Sequence, residues 1–260
     1  MACLGVFNNI LIILAVCRFP ALQNTQNMLL LNMSVMSLIL DTVTVPLIVF
    51  NVIGRQYLTL PGNFCQYLSY LQQSTLFNSS FAVCAVSVNR GVAVVFPHFY
   101  RRMRSRRALL VFILPCWLIP PTVCLLGVTK VLGIHEALPP FFYCSTRSVP
   151  LIFITQVVFL YIPTAITAAC YVFIIAKLIF YRSGRVDPTG RAAGPTTLLV
   201  KKRARASLRI FMCFVVFLCV YYPTAIMSAV APDSAKEQPV LFLWLRSTLA
   251  MSISLFNPVS

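Results

Sequence analysis

Residues 62–95 read GNFCQYLSYLQQSTLFNSSFAVCAVSVNRGVAVV, an apolar run in which Arg90 is the only charged side chain. At about 1.5 Å of rise per residue, a helix of this length outreaches the roughly 30 Å of hydrocarbon in a bilayer. Six further apolar runs accompany it, roughly 3–17, 26–53, 108–128, 149–181, 205–230 and 239–259. Together they predict an all-α fold, a single seven-transmembrane helix bundle over residues 1–260. Proline punctuates several runs, at Pro46, Pro115, Pro163, Pro223 and Pro258. Membrane helices tolerate such prolines because neighbouring groups satisfy the freed carbonyls.

Composition agrees with this reading. The chain is 59% hydrophobic and 10% charged, with a mean hydropathy of +0.86. Soluble chains are about half apolar and about a quarter charged, so lipid is the solvent for the excess. The net charge of +16 would point to nucleic acid in a soluble protein, but its distribution excludes that partner. Arg101, Arg102, Arg104, Arg106 and Arg107 form one cluster between apolar runs. Arg182, Arg185, Arg191, Lys201, Lys202, Arg203, Arg205 and Arg209 form another. Lys and Arg flanking spans mark the cytoplasmic side, which puts the loops after spans 1, 3 and 5 inside, the N-terminus outside and the C-terminus inside.

Most cysteines lie within apolar runs, where a thiol acts as a small hydrophobe. No CxxC spacing appears, and no metal site is expected. No basic region precedes the first apolar run, so no cleavable leader is expected. No internal repeat is apparent, which disfavours an inverted-repeat transporter. Span 1 has few residues before Arg18, and span 7 stops at Ser260, so the domain is expected to be truncated at both ends.

Landmark residues fall one set to a span. Span 1 has Asn9 in Phe7-Asn8-Asn9-Ile10-Leu11. Span 2 has Asn32-Met33-Ser34-Val35-Met36-Ser37, with Pro46 nine positions after Ser37. In span 3, Arg90 follows Cys65 by 25 residues, within Asn89-Arg90-Gly91, and Pro97 lies beyond. Span 4 has Trp117, and span 5 has Pro163 with Tyr171 eight positions on. Span 6 has Phe217, Tyr221 and Pro223, and span 7 ends in Asn257-Pro258-Val259-Ser260. In this order the landmarks resemble the rhodopsin-like family of G-protein-coupled receptors over essentially the whole chain. The chain reads as a divergent member. Asn8 stands where the family has Gly, and Ser37 where it has Asp. Asn89-Arg90-Gly91 replaces Asp-Arg-Tyr, and Tyr221 replaces the tryptophan of Cys-Trp-x-Pro.

The resemblance implies a receptor and not an enzyme, with no cofactor, in the plasma membrane. Its partners would be an extracellular ligand, a heterotrimeric G protein and the lipid bilayer. Asn89, Arg90, Tyr171, Phe217, Tyr221, Pro223, Asn257 and Pro258 would serve coupling and activation. Intramembrane arginines are rare and usually functional, although an arginine at an interface also snorkels to headgroups. Asn89 cannot pair ionically with Arg90, and Arg203 stands about where many members place a second acid. No inner ionic lock is therefore expected.

Cys65 and Cys144 would form the outer disulfide that pins the second outer loop. Asn9, Ser37, Asp41 and Ser79 would form a polar core. Ser37 removes the usual sodium carboxylate. Asp41 is the one acid within a span, and reads as a displaced sodium ligand, a counter-ion or a protonated structural carboxyl.

The ligand cavity would draw on Gln72, Gln73, Thr155, Gln156, Tyr221, Thr224, Ser247 and Met251. Each could equally be interhelical polar glue. Gln72 stands where amine receptors carry aspartate, and Met251 where opsins carry the retinal lysine. A peptide or small non-amine ligand is expected. The alternatives are a degenerate, non-signalling member and a transporter or channel. Asn32 and Asn78 open Asn-x-Ser sequons inside predicted helices, where glycosylation is not expected.

Overall fold

In the computed structural model the described residues are 2–54, 63–96, 98–100, 105–129, 135–138, 143–146 and 154–183. Spans 6 and 7 lie outside them, as do Arg203, Phe217, Tyr221, Pro223, Thr224, Ser247, Met251, Asn257 and Pro258. The helices are α1 (Ala2–Arg18), α2 (Thr25–Ile39), α3 (Val45–Gly54), α4 (Phe64–Val95), α5 (Arg106–Val128) and α6 (Ile162–Ser183). Four stretches are long and apolar enough to cross a bilayer: Asn27–Asn51, Phe64–Val95, Arg107–Leu126 and Ile154–Lys177. Cys3–Arg18 is a shorter apolar helix.

Local chemistry sets several boundaries. The Asn24 side chain accepts from the Asn27 N–H at 3.0 Å and starts α2, a standard use of asparagine at a helix start. The Ala108 N–H donates to Ser105 Oγ at 3.2 Å at the start of α5. Arg18 ends α1, where a cation suits the negative end of the helix dipole.

Two local features accompany the expected helices. The second and fifth spans are not regular helices. α2 passes into α3 through a π turn, Leu40–Thr44, in which the Val45 N–H donates to the Leu40 carbonyl. A second π turn, Val157–Tyr161, leads into α6, with the Ile162 N–H on the Val157 carbonyl. A proline lies two residues past the end of each widened turn, Pro46 and Pro163. A proline ring clashes with the carbonyl four residues back and supplies no N–H, and widening the turn relieves both defects. The second feature is a short hairpin beside the helices. β1 (His135–Leu138) pairs antiparallel with β2 (Tyr143–Thr146), in the register His135↔Thr146 and Leu138↔Tyr143. Strands this short carry no readable periodicity.

α4 is the hub. It packs against α2, α5, α6 and both strands. Leu29 and Met33 of α2 meet Ala82, Ala85 and Val86 of α4, with Leu109, Phe112 and Ile113 of α5 around them. A hydrogen bond crosses the same region, from Trp117 Nε1 to Asn32 Oδ1 at 2.7 Å. At Gly91, α4 runs so close to α6 that an added Cβ would sit 3.5 Å from Cys170 Cβ and Sγ. Small residues commonly permit such approaches between membrane helices. α5, by contrast, exposes Leu110, Val111, Leu114, Leu118 and Ile119, as a helix at the lipid boundary does.

Trp117→Phe removes the donor to Asn32 and keeps the ring. It is expected to cost about 1–2 kcal/mol, read as a lower melting temperature of detergent-solubilised protein. Combining it with Asn32→Leu removes both partners and should recover part of that loss. A double variant as unstable as the sum of the two single changes would contradict this pairing.

Candidate functional site

The site is built along α4, which carries candidate residues at both ends and in its middle. At one end Cys65 is bonded to Cys144 of β2. Ser69, one turn along, donates from Oγ to the Cys144 carbonyl at 3.2 Å. The disulfide packs with Leu68 and with Leu47, Ile48 and Phe64. A two-stranded hairpin is marginal by itself. Here a covalent bond, a hydrogen bond and apolar contact all fix it to α4.

Just below lie Gln72 and Gln73 on α4, and Thr155 and Gln156 at the start of the span that becomes α6. All four are half-buried, and Gln156 Oε1 is buried without a hydrogen-bond partner. One turn deeper the two helices meet through aromatic rings. Phe77 and Phe159 stack with centroids 5.1 Å apart, and Phe81 lies 5.8 Å from Phe159. Phe77, Phe159 and Cys124 form a buried cluster edged by Tyr70, Phe81 and Val123.

Gln73 precedes Phe77 by one turn, and Gln156 precedes Phe159 by three residues, so both glutamines lie on the Cys65 side of the stack. Phe77 and Phe159 were not among the expected site residues. Phe159 sits in the π turn, four residues before Pro163, and that spacing was the available signal.

In the middle, α1, α2, the π turn and α4 each bury polar side chains. Asn9 is fully buried and donates from Nδ2 to the Gly5 carbonyl at 2.9 Å. Thr44 Oγ1 and Thr75 Oγ1 are 3.5 Å apart. The Thr75 hydroxyl donates to the Leu71 or Gln72 carbonyl, so Thr44 is the donor in the pair. Ser37 and Ser79 are buried, as is Asp41, only 3% exposed in the π turn. Ser79 Oγ has no hydrogen-bond partner. No group of three His, Cys, Asp or Glu able to hold a metal occurs among the described residues.

At the far end, Asn89 is 1% exposed, and neither its Oδ1 nor its Nδ2 has a hydrogen-bond partner. Arg90 is half-buried with its Nε buried and unpartnered. Tyr171 and Ile174 of α6 are each 1% exposed. Lys177 of α6 donates from Nζ to the Val95 carbonyl at the end of α4, at 2.6 Å. Lys177 was also missed, since its partner is a backbone carbonyl that a sequence does not display. The structure thus brings the disulfide pair together and sets the glutamines beside the aromatic stack. It leaves Asn89 and Arg90 side by side without a mutual ion pair.

Comparison with known proteins places the chain. The sequence model of the 7 transmembrane receptor (rhodopsin family) matches residues 8–260. The Xenopus laevis protein named melatonin receptor type 1C is 27% identical over 97% of this chain and 59% of its own length. Neuropeptide receptor 22 of Caenorhabditis elegans is 24% identical over 98% of this chain and 62% of its own. A Drosophila melanogaster dopamine D2-like receptor is 29% identical over 51% of this chain and 14% of its own. The chain therefore spans less than two thirds of the length of each of these relatives.

Two stability outcomes follow from the site. Asn89→Leu replaces a buried, unpartnered amide with an apolar side chain of similar size, and leaving such a group unmade costs about 1–3 kcal/mol. The variant is expected to melt several degrees higher in detergent. An unchanged or lower melting temperature would show that Asn89 is satisfied. Cys65→Ser with Cys144→Ser opens a covalent loop of 79 residues' separation, and is expected to cost about 2–5 kcal/mol. Limited proteolysis should then cut the hairpin region faster than in the parent protein.

Proposed function

Because the chain belongs to the rhodopsin family of seven-transmembrane receptors, which are not enzymes, we propose that it converts an extracellular ligand's binding into activation of a heterotrimeric G protein. It does so in the plasma membrane, with the Cys65 end of α4 outside and the Arg90 end in the cytoplasm. The basic clusters at 101–107 and 182–209 support that orientation. The observation that carries the reading is α4 itself. One continuous helix, Phe64–Val95, holds a disulfide-pinned hairpin and two glutamines at one end and Arg90 at the other.

The ligand is a peptide or a small non-amine molecule. Gln72 and Gln73 are neutral, so α4 offers no carboxylate to a protonated amine at that level. The pocket draws on Gln72, Gln73, Thr155 and Gln156 above the Phe77–Phe159 stack. Tyr221, Thr224, Ser247 and Met251 are assigned to it by family register. Ligand binding favours one helix arrangement over another and shifts the population toward it. Span 6, with Phe217, Tyr221 and Pro223, and span 7, with Asn257 and Pro258, carry the change to the cytoplasmic face. There Arg90 and Tyr171 meet the G protein. Asn9, Ser37, Asp41 and Ser79 form the polar core through which the change passes. Ser37 leaves that core without the family's usual sodium carboxylate.

Asn89 has no charge with which to hold Arg90, so the resting state is weakly restrained. Expressed in cells as the full-length protein, the receptor is expected to signal without ligand, well above vector control. Asn89→Asp should lower that signal by restoring an acid beside Arg90, and Arg90→Ala should abolish it at equal surface level. A signal equal to vector control, unmoved by Asn89→Asp or Arg90→Ala, would support a non-signalling member.

A further inference from the structure

Two contacts join α4 and α6 at the Arg90 end, and a buried side chain of α6 lies between them in sequence. Gly91 lies against Cys170, with an added Cβ meeting Cys170 at 3.5 Å. Ile174, one turn further along α6, is fully buried. Lys177, three residues beyond, reaches the Val95 carbonyl at 2.6 Å. Positions 91 and 95 of α4, and 170, 174 and 177 of α6, have the spacing of single helix faces. The last carbonyls of a helix lack intrahelical donors, and that end carries partial negative charge. The Lys177 ammonium answers both needs through a charge-assisted bond. Lysine is suited to this because its long apolar stem can stay against the bundle while the head reaches a polar group.

Beside this seam, Asn89 and Arg90 Nε have no hydrogen-bond partners. Lys177 Nζ donates to the Val95 carbonyl across this end of the α4–α6 seam. The chain leaves α6 at Ser183 toward the sixth span, so the position of α6 governs where that connection starts.

We propose that Lys177 is a positioning residue: its bond to the Val95 carbonyl ties the ends of α4 and α6 together and restrains the opening of the coupling face. The proposal rests on the receptor reading above. Releasing the bond lets α6 move away from α4 and increases the fraction of receptor that couples without ligand.

The test uses the full-length receptor with Lys177→Met, which keeps the apolar stem and removes the donor, and Lys177→Arg, which keeps a charged donor. Ligand-independent G-protein activation is measured per surface receptor, together with the melting temperature of the purified proteins. Lys177→Met should raise ligand-independent activation by about twofold to fivefold, the factor that corresponds to one exposed charged contact. It should also lower the melting temperature. Lys177→Arg should return both readouts most of the way to the parent. Activation that is unchanged or reduced by Lys177→Met overturns the proposal, as does a Lys177→Arg protein that behaves like Lys177→Met. Loss of all Arg90-dependent signalling in every form, the parent included, sinks the receptor reading and the proposal with it. Signalling that is present but indifferent to Lys177 sinks only the proposal.

Discussion

α4 cannot stand alone in lipid. Hydrocarbon offers no hydrogen bonds, so a polar side chain exposed to it pays its full desolvation cost. α4 nevertheless carries Gln66, Ser69, Ser74, Thr75, Asn78, Ser79, Ser87 and Asn89, all buried. Thr75 and Ser87 satisfy their hydroxyls on carbonyls of α4 itself, but the amides of Gln66, Asn78 and Asn89 are too polar for hydrocarbon and call for protein around the helix. That requirement places α2, α5, α6 and the hairpin around α4. It also explains the contrast with α5, whose outward residues are mostly apolar and whose exposed Thr122 bonds back to the Leu118 carbonyl of its own helix. The arrangement of the described bundle is thus set less by hydrophobic attraction, which is weak between helices in lipid, than by the need to enclose one helix too polar for its solvent.

The two π turns follow from a second constraint, and they connect backbone chemistry to side-chain placement. Pro46 and Pro163 each force the preceding turn open, and π turns of this kind occur disproportionately at functional sites. The first carries Asp41 and Thr44 in its interior, and Thr44 reaches Thr75 across to α4. The second carries Phe159, which stacks on Phe77. An α-helical turn would advance the chain by about 100° per residue. The wider turn changes that phase, so each proline helps decide which residue near it faces α4. The same two devices meet α4 from opposite sides, one with hydroxyls and the other with an aromatic ring.

The described spans were legible because apolar length is a property of consecutive residues. The pairing of Cys65 with Cys144 came from resemblance and stands in the structure. The hairpin was not legible, because its strands are four residues each and are held by contacts distant in sequence. The π turns were missed although both prolines had been noted, since a proline fixes a defect without stating its remedy. Phe77 and Phe159 were invisible as a pair, because their stacking depends on that remedy. Lys177 was invisible for another reason: a lysine at the end of a basic, apolar-flanked span reads as a membrane anchor until its acceptor is known. The roles of Tyr221, Met251 and the other residues in spans 6 and 7 rest on family register alone.

The two ends of α4 differ in how firmly they are held. At the Cys65 end a covalent bond, the Ser69 hydrogen bond and a packed apolar cluster act on the same few residues. At the Arg90 end the described residues give Gly91 against Cys170 and one lysine on a carbonyl, beside a buried Asn89 amide with no hydrogen-bond partner among them. An unmet buried amide costs about 1–3 kcal/mol, and an exposed charged contact returns about 1 kcal/mol or less. The margin by which this arrangement is preferred at the Arg90 end is therefore small, and any rearrangement that gives Asn89 a partner competes with it. A switch needs two states separated by only a few kcal/mol, so that differential ligand affinity can reorder them. On the receptor reading proposed above, the closeness of the states comes from a local deficit of polar partners at the end of α4 away from the hairpin.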